Sequence, residues 1–116
     1  MTRMTLLTTI FAAALIGSTV AAMAGMIADA KGNTLYIFDK DAGGVSACYG
    51  DCAKNWPPYL GKAGDPLTEG WTLVDRTDGT KQWAYDGKPM YYFLGDAKPG
   101  DMTGDGKGGV WHVIKE

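Results

Sequence analysis

Ten residues of this chain recur without a gap further along it, and that recurrence limits what the chain can fold into. Gly32-Asn33-Thr34-Leu35-Tyr36-Ile37-Phe38-Asp39-Lys40-Asp41 aligns on Gly87-Lys88-Pro89-Met90-Tyr91-Tyr92-Phe93-Leu94-Gly95-Asp96. Glycine, tyrosine, phenylalanine and aspartate are identical at four positions, and Leu35 opposite Met90 is a near match. The shared signature is Tyr-x-Phe-x-x-Asp. A short repeated unit with an apolar face cannot bury that face alone, so the two copies are expected to pair and share one core. In a strand, residues two apart point to the same side, which puts Tyr36 with Phe38, and Tyr91 with Phe93, on one face each. Asp41 and Asp96 then fall where the strands end, and a carboxylate there accepts N–H groups of the following turn. The motif therefore reads first as scaffold, core aromatics plus a turn-capping carboxylate. The sharper alternative makes the two copies the walls of a ligand groove.

The segments around the repeat agree with a β reading. The short runs are Thr34–Phe38, Trp71–Val74, Lys81–Tyr85, Met90–Phe93 and Gly109–Ile114, with a weaker one at Met26–Ala30. Asp78-Gly79 and Asp86-Gly87 separate three of them, and Asp-Gly supplies the positive backbone angles of a tight hairpin. An antiparallel meander follows. The only expected helical turn is Cys48–Lys54, ahead of Trp56-Pro57-Pro58. The fold class is all-β: a small antiparallel domain of two related β units with Gly- and Asp-rich turns.

The N-terminus has a different character. One positive charge at Arg3, an apolar run from Leu6 to Val20 and an Ala22-Met23-Ala24 site form the three parts of a secretory signal peptide. The run is short for a membrane-spanning helix, which needs about 20 predominantly apolar residues. The expected division is a signal-peptide helix over 1–24 and a mature domain over 25–116, with unit one about 25–60 and unit two about 70–116. No cysteine follows the apolar run, so a non-lipidated, periplasmic or secreted product without a membrane anchor is expected. Removing Arg3 leaves ten basic and thirteen acidic side chains, a balance that argues against nucleic acid, which needs a basic stripe.

Cys48 and Cys52 are the two cysteines, four residues apart. In an oxidising compartment a structural disulfide is the default, and one helical turn brings such residues within bonding reach. The competing arrangement is a copper or thiol-redox site formed by Cys48, Cys52 and the single histidine, His112, since two thiolates and an imidazole suit Cu(I). His112 also reads as a solvent-facing strand residue. Asp101–Gly109 is rich in aspartate and glycine, but the twelfth position of a calcium loop begun at Asp101 is His112 instead of glutamate. Ser46 is the only serine after the expected leader, and nothing resembles a nucleophile elbow.

Taken in order, Tyr36-Ile37-Phe38-Asp39-Lys40-Asp41, Cys48-Tyr49-Gly50-Asp51-Cys52, Trp56-Pro57-Pro58, Gly87–Phe93 with Asp96, Pro99-Gly100-Asp101 and Gly109-Val110-Trp111-His112-Val113 resemble a bacterial secreted repeat family of unknown function. Its members are described as predicted lipoproteins with a Tyr-x-(Phe/Trp/Tyr)-x-x-Asp motif. The resemblance implies an extracytoplasmic β domain in a bacterial envelope and brings no established activity. The lipidation cysteine of many members is missing here. The expectation is a non-enzymatic module that binds an unknown envelope or extracellular partner without a cofactor, its oligomeric state open. The alternative is the copper or redox protein. Tyr49, Tyr59, Tyr92 and Trp71 are the aromatics expected on its exposed binding surface.

Overall fold

A computed structural model describes residues 26–115; the expected signal peptide lies outside them. Strand β1 is Tyr36–Phe38, β2 Leu60–Gly61, β3 Trp71–Asp75, β4 Lys81–Tyr85, β5 Lys88–Pro89 and β6 Trp111–Val113; helix α1 is Asp51–Asn55. A 3-10 turn, Lys107–Gly109, precedes β6. All strand pairings are antiparallel.

The meander forms because each turn has the residues it needs. Asp86 (φ 52°) and Gly87 (φ 79°) both take the left-handed region, the requirement of a tight two-residue hairpin. That hairpin joins β4 to β5, pairing Tyr85 with Lys88 and Ala84 with Pro89. On its other edge β4 pairs along its length with β3, from Trp71 opposite Tyr85 to Asp75 opposite Lys81. Strand β2 joins β4 at Leu60–Gln82.

The pattern predicts one strand over Met90–Phe93, but only Tyr91 of that run makes ladder bridges, to Tyr36 and to Pro58. Its bonds are shared among neighbours: Met90 N–H to the Trp83 carbonyl, Tyr91 N–H to Tyr36, Tyr92 N–H to Pro57. Pro57 and Pro58 have no N–H to return, so a continuous ladder cannot form on that side. The Met26–Ala30 segment likewise contributes bridges, Met26 to Lys115 and Ala28 to Thr34.

The two units meet where Tyr36 and Tyr91 exchange N–H···O bonds of 2.8 and 3.0 Å. Bonds around this point recur in pairs. Leu35 N–H reaches the Ile27 carbonyl as Met90 N–H reaches Trp83, and Ile27 N–H reaches Ile114 as Trp83 N–H reaches Tyr59. Asp39 N–H reaches Val110 as Leu94 N–H reaches Asn55. The units are thus related by an approximate twofold axis between the two tyrosines.

Alternation along the paired segments gives two cores instead of the single one expected. Leu35 and Met90 pack with Ile27, Ile37, Tyr92 and Ile114 on one face. Tyr36, Tyr91, Trp56 and Trp111 pack with Phe38, Phe93 and Cys48 on the other. Both cores draw on both units, because every second side chain of a strand must find its own cover.

Candidate functional site

The motif residues cross between units. Tyr36 Oη donates to Asp96 Oδ2 at 2.6 Å, and Tyr91 Oη donates to Asp41 Oδ2 at 2.7 Å. The second carboxylate oxygens hold the turns that follow: Asp41 Oδ1 accepts the Ala47 N–H at 2.7 Å, and Asp96 Oδ1 accepts the N–H and hydroxyl of Thr103 at 2.9 and 2.6 Å. Each tyrosine oxygen also accepts a bond, Tyr36 from the Gly104 N–H and Tyr91 from Ser46. Burial, then the bonded carboxylate, raises the Tyr36 phenol well above its ordinary range. Burial likewise leads the rise at Tyr91, with the Ser46 bond opposing and Asp41 adding to it. Asp41 is itself raised by burial, despite the Tyr91 and Ala47 donors.

The rings cross in the same way. Phe38 stacks on Trp111 (centroids 4.1 Å), Trp111 on Trp56 (3.9 Å) and Trp56 on Phe93 (4.3 Å), giving a four-ring column that alternates between units. Tyr36 meets Trp56 edge-on at 5.2 Å, as Tyr91 meets Trp111. Trp56 and Trp111 are therefore a further matched position of the repeat. Their equal distance beyond the two motifs is legible in the sequence once the alignment is extended past Asp41 and Asp96.

One feature breaks the symmetry of the repeat. Arg76 is buried and donates to Ser46 Oγ (3.0 Å), Gln82 Oε1 (2.8 Å) and the Cys48 carbonyl (2.9 Å), with its guanidinium 4.3 Å from the Tyr49 ring centroid. Because Tyr91 donates to Asp41, the donors run in one direction: Arg76 to Ser46 to Tyr91 to Asp41. In unit two the Gly104 N–H closes the corresponding bond. Neither Arg76 nor Gln82 was singled out from sequence; a basic residue beside an Asp-Gly turn carries no signal of burial.

Cys48 and Cys52 form a disulfide with Cα atoms 5.3 Å apart. It ties the entry of α1 to a fully buried residue and so fixes the segment that delivers Trp56 to the column. His112 Nε2 lies 2.8 Å from Asp39 Oδ2 at the surface. Among the described residues no three Cys, His, Asp or Glu side chains are grouped to hold a metal, so Cys48, Cys52 and His112 do not come together as a copper site.

Among the described residues, two kinds of depression offer room for a ligand. The first is a pair of clefts that the repeat itself generates. One, of about 700 Å³, lies between Phe38-Asp39, Asp41 and the Asp86–Pro89 hairpin. The other, of about 270 Å³, lies at the matching place beside Phe93-Leu94, Asp96 and Asn33-Thr34. Their carboxylates Asp41 and Asp96 are already engaged by tyrosine and turn N–H groups.

The second is an aromatic groove of about 210 Å³ against the meander. Tyr59, Trp83 and Trp71 come from three neighbouring segments, Trp83 N–H bonding the Tyr59 carbonyl at 2.8 Å and β3 lying alongside β4. Trp71 stands nearly perpendicular to both other rings, at 87° to Tyr59 and 88° to Trp83, with centroids 6.0 and 6.3 Å away. Gly61 is required beside them: a Cβ there would lie 2.6 Å from Trp83 Nε1 and 2.7 Å from Leu73 Cδ2. Asp29 is the one charged residue lining the groove. Burial works against its charge, but the Tyr92 hydroxyl, Asn33 and the Lys31 N–H outweigh it and hold the carboxyl below its usual range.

The aromatics expected on the exposed binding surface, Tyr49, Tyr59, Tyr92 and Trp71, are all partly exposed. Tyr92 donates to Asp29 at 2.8 Å and Tyr49 accepts the Thr77 N–H at 3.0 Å. The most exposed large apolar side chains among the described residues are Val45, Leu60, Leu67, Leu94 and Met102.

A family model described as a secreted repeat of unknown function matches residues 18–59 and again 72–115. The chain belongs to this secreted repeat family. The two matches together span most of the chain, one for each copy of the motif. No curated protein and no solved structure matches it. No helix among the described residues is long and apolar enough to cross a membrane.

Proposed function

We propose that this secreted-repeat chain is an exported, non-lipidated, non-enzymatic binding module of the bacterial envelope. In this reading residues 1–24 direct export and are removed, and the mature domain meets its partner through the aromatic groove. The supporting observation is the division of labour among the aromatics. The motif tyrosines, phenylalanines and their tryptophans are consumed in the crossed bonds and the ring column. Tyr59, Trp71 and Trp83 stay partly exposed and line a depression. Partly exposed tryptophan and tyrosine are the side chains that binding surfaces favour.

The test combines export and association. Expressed with its leader in a bacterium, the protein is expected in the extracytoplasmic fraction with a new N-terminus at Gly25. Purified protein is expected to sediment with isolated envelopes, and Trp71→Ala to lose that association while remaining folded by far-ultraviolet dichroism. Retention in the cytoplasm, or envelope binding indifferent to Trp71, overturns the reading.

A further inference from the structure

We infer that the aromatic groove takes an alkylated ammonium group, a cation wearing an apolar skin. This rests on the reading of the groove as the binding surface and names its ligand chemistry. Three aromatic rings, from Tyr59, Trp71 and Trp83, line the groove, with Trp71 close to perpendicular to the other two. Aromatic rings carry negative charge density on their faces and positive charge at their edges. A cation is the ligand such faces attract, and a quaternary ammonium is the one that sheds little hydration on entry.

Charge supports the same occupant. Asp29 is the only charged lining residue, and its negative charge reaches Tyr59, whose phenol it helps to raise after burial. It cannot swing away to form a contact ion pair, because its oxygens accept the Lys31 and Asn33 N–H groups, the Asn33 amide and the Tyr92 hydroxyl. A carboxylate so held supplies a fixed field with few free lone pairs. That suits a ligand without N–H donors better than a lysine or arginine side chain, which would need acceptors. Size completes the case. Pockets that enclose drug-sized ligands run to roughly 300–1,000 Å³, and at about 210 Å³ the groove fits a headgroup and leaves the remainder of the ligand outside.

The probes are tetramethylammonium, choline and 3,3-dimethylbutan-1-ol, the uncharged isostere of choline, added to the purified protein and followed by the indole N–H resonances. The expected result is saturable shifts at Trp71 and Trp83 with Trp56 and Trp111 unmoved, and choline binding at least about tenfold tighter than the isostere. Trp71→Ala should abolish the shift at Trp83, Trp71→Phe should restore part of it, and Asp29→Asn should weaken choline without affecting the isostere. Equal affinity for choline and its isostere, shifts reproduced by sodium chloride at the same ionic strength, or shifts produced by oligosaccharides alone would overturn the inference. If envelopes still bind through Trp71 while the ammonium probes do not, this inference fails and the binding-module reading stands. If neither binds, both fail.

Discussion

Tyr36 and Asp96 lie sixty residues apart in sequence and 2.6 Å apart at their oxygens, and Tyr91 and Asp41 repeat the relationship in the opposite direction at 2.7 Å. Each copy of the motif therefore completes the other. A bond to a carboxylate that also holds a turn contributes about 1.5–3 kcal/mol, and a domain of this size has only roughly 5–15 kcal/mol in total. Asp41→Ala and Asp96→Ala are each expected to lower stability by about 2–3 kcal/mol. Because every contact crosses between units, the loss should appear in one cooperative transition. Chemical denaturation followed separately by tryptophan fluorescence and far-ultraviolet dichroism checks this; two separated transitions would show the units to be independent.

The ring column is a second point where both units fail together. At Gly104 a Cβ would lie 2.7 Å from Trp56 and 2.9 Å from Phe93. Trp56 is stacked between Trp111 and Phe93, so it cannot yield cheaply. Gly104→Ala is expected to cost about 1–3 kcal/mol through overpacking, and Trp56→Ala about 3–5 kcal/mol through the cavity it leaves. Thermal melts of the two variants should rank in that order.

The repeat, the meander and the disulfide were legible because each is written locally: a gapless alignment, Asp-Gly at the turns, cysteines one helical turn apart. Lys81–Tyr85 forms a strand with the bounds its pattern implies. What was not legible depends on partners distant in sequence. Nothing near Asp41 says that its second oxygen belongs to Tyr91 instead of to a ligand. The alternation of Leu35, Tyr36, Ile37 and Phe38 implies two apolar faces, but the cover of the second face comes from Ile27, Met90 and Ile114, which lie outside that run. Met90–Phe93 has the composition of a strand, and the prolines that deny it a full ladder lie more than thirty residues earlier.

Arg76 sets up a third expectation. It is a buried cation that donates three hydrogen bonds, and the carboxylate of Asp78 lies 3.8 Å from its Nε. Arg76→Gln should leave Ser46, Gln82 and the Cys48 carbonyl without their donor and cost about 3–5 kcal/mol, since each buried acceptor left unpaired costs about 1–3 kcal/mol. Replacing Cys48 and Cys52 together by alanine should cost less, about 2 kcal/mol, because the loop they close is short. Urea midpoints of the two variants, measured under identical non-reducing conditions, test the order. A disulfide loss exceeding the arginine loss would place the anchor of this corner in the sulfurs.

Alkaline pH should unfold the domain through its tyrosines. Tyr36, Tyr91 and Tyr92 all have phenols raised above the ordinary value of 10.0, burial being the leading cause in each and a bonded aspartate adding to it. A group whose pKa is raised on folding keeps its proton in the native state after the unfolded chain has released it. Its contribution is fully present below pH 10 and is lost as the pH climbs from there towards the folded value. The domain is thus expected to hold a flat stability plateau through neutral pH and to lose stability steeply above pH 10. Tyr92→Phe removes one of the three titrating groups while leaving Asp29 three other donors, so its alkaline limb should be shallower than that of the unsubstituted protein. Denaturant midpoints measured from pH 8 upward decide the matter, and parallel limbs for the two proteins would show that Tyr92 carries no part of the linkage.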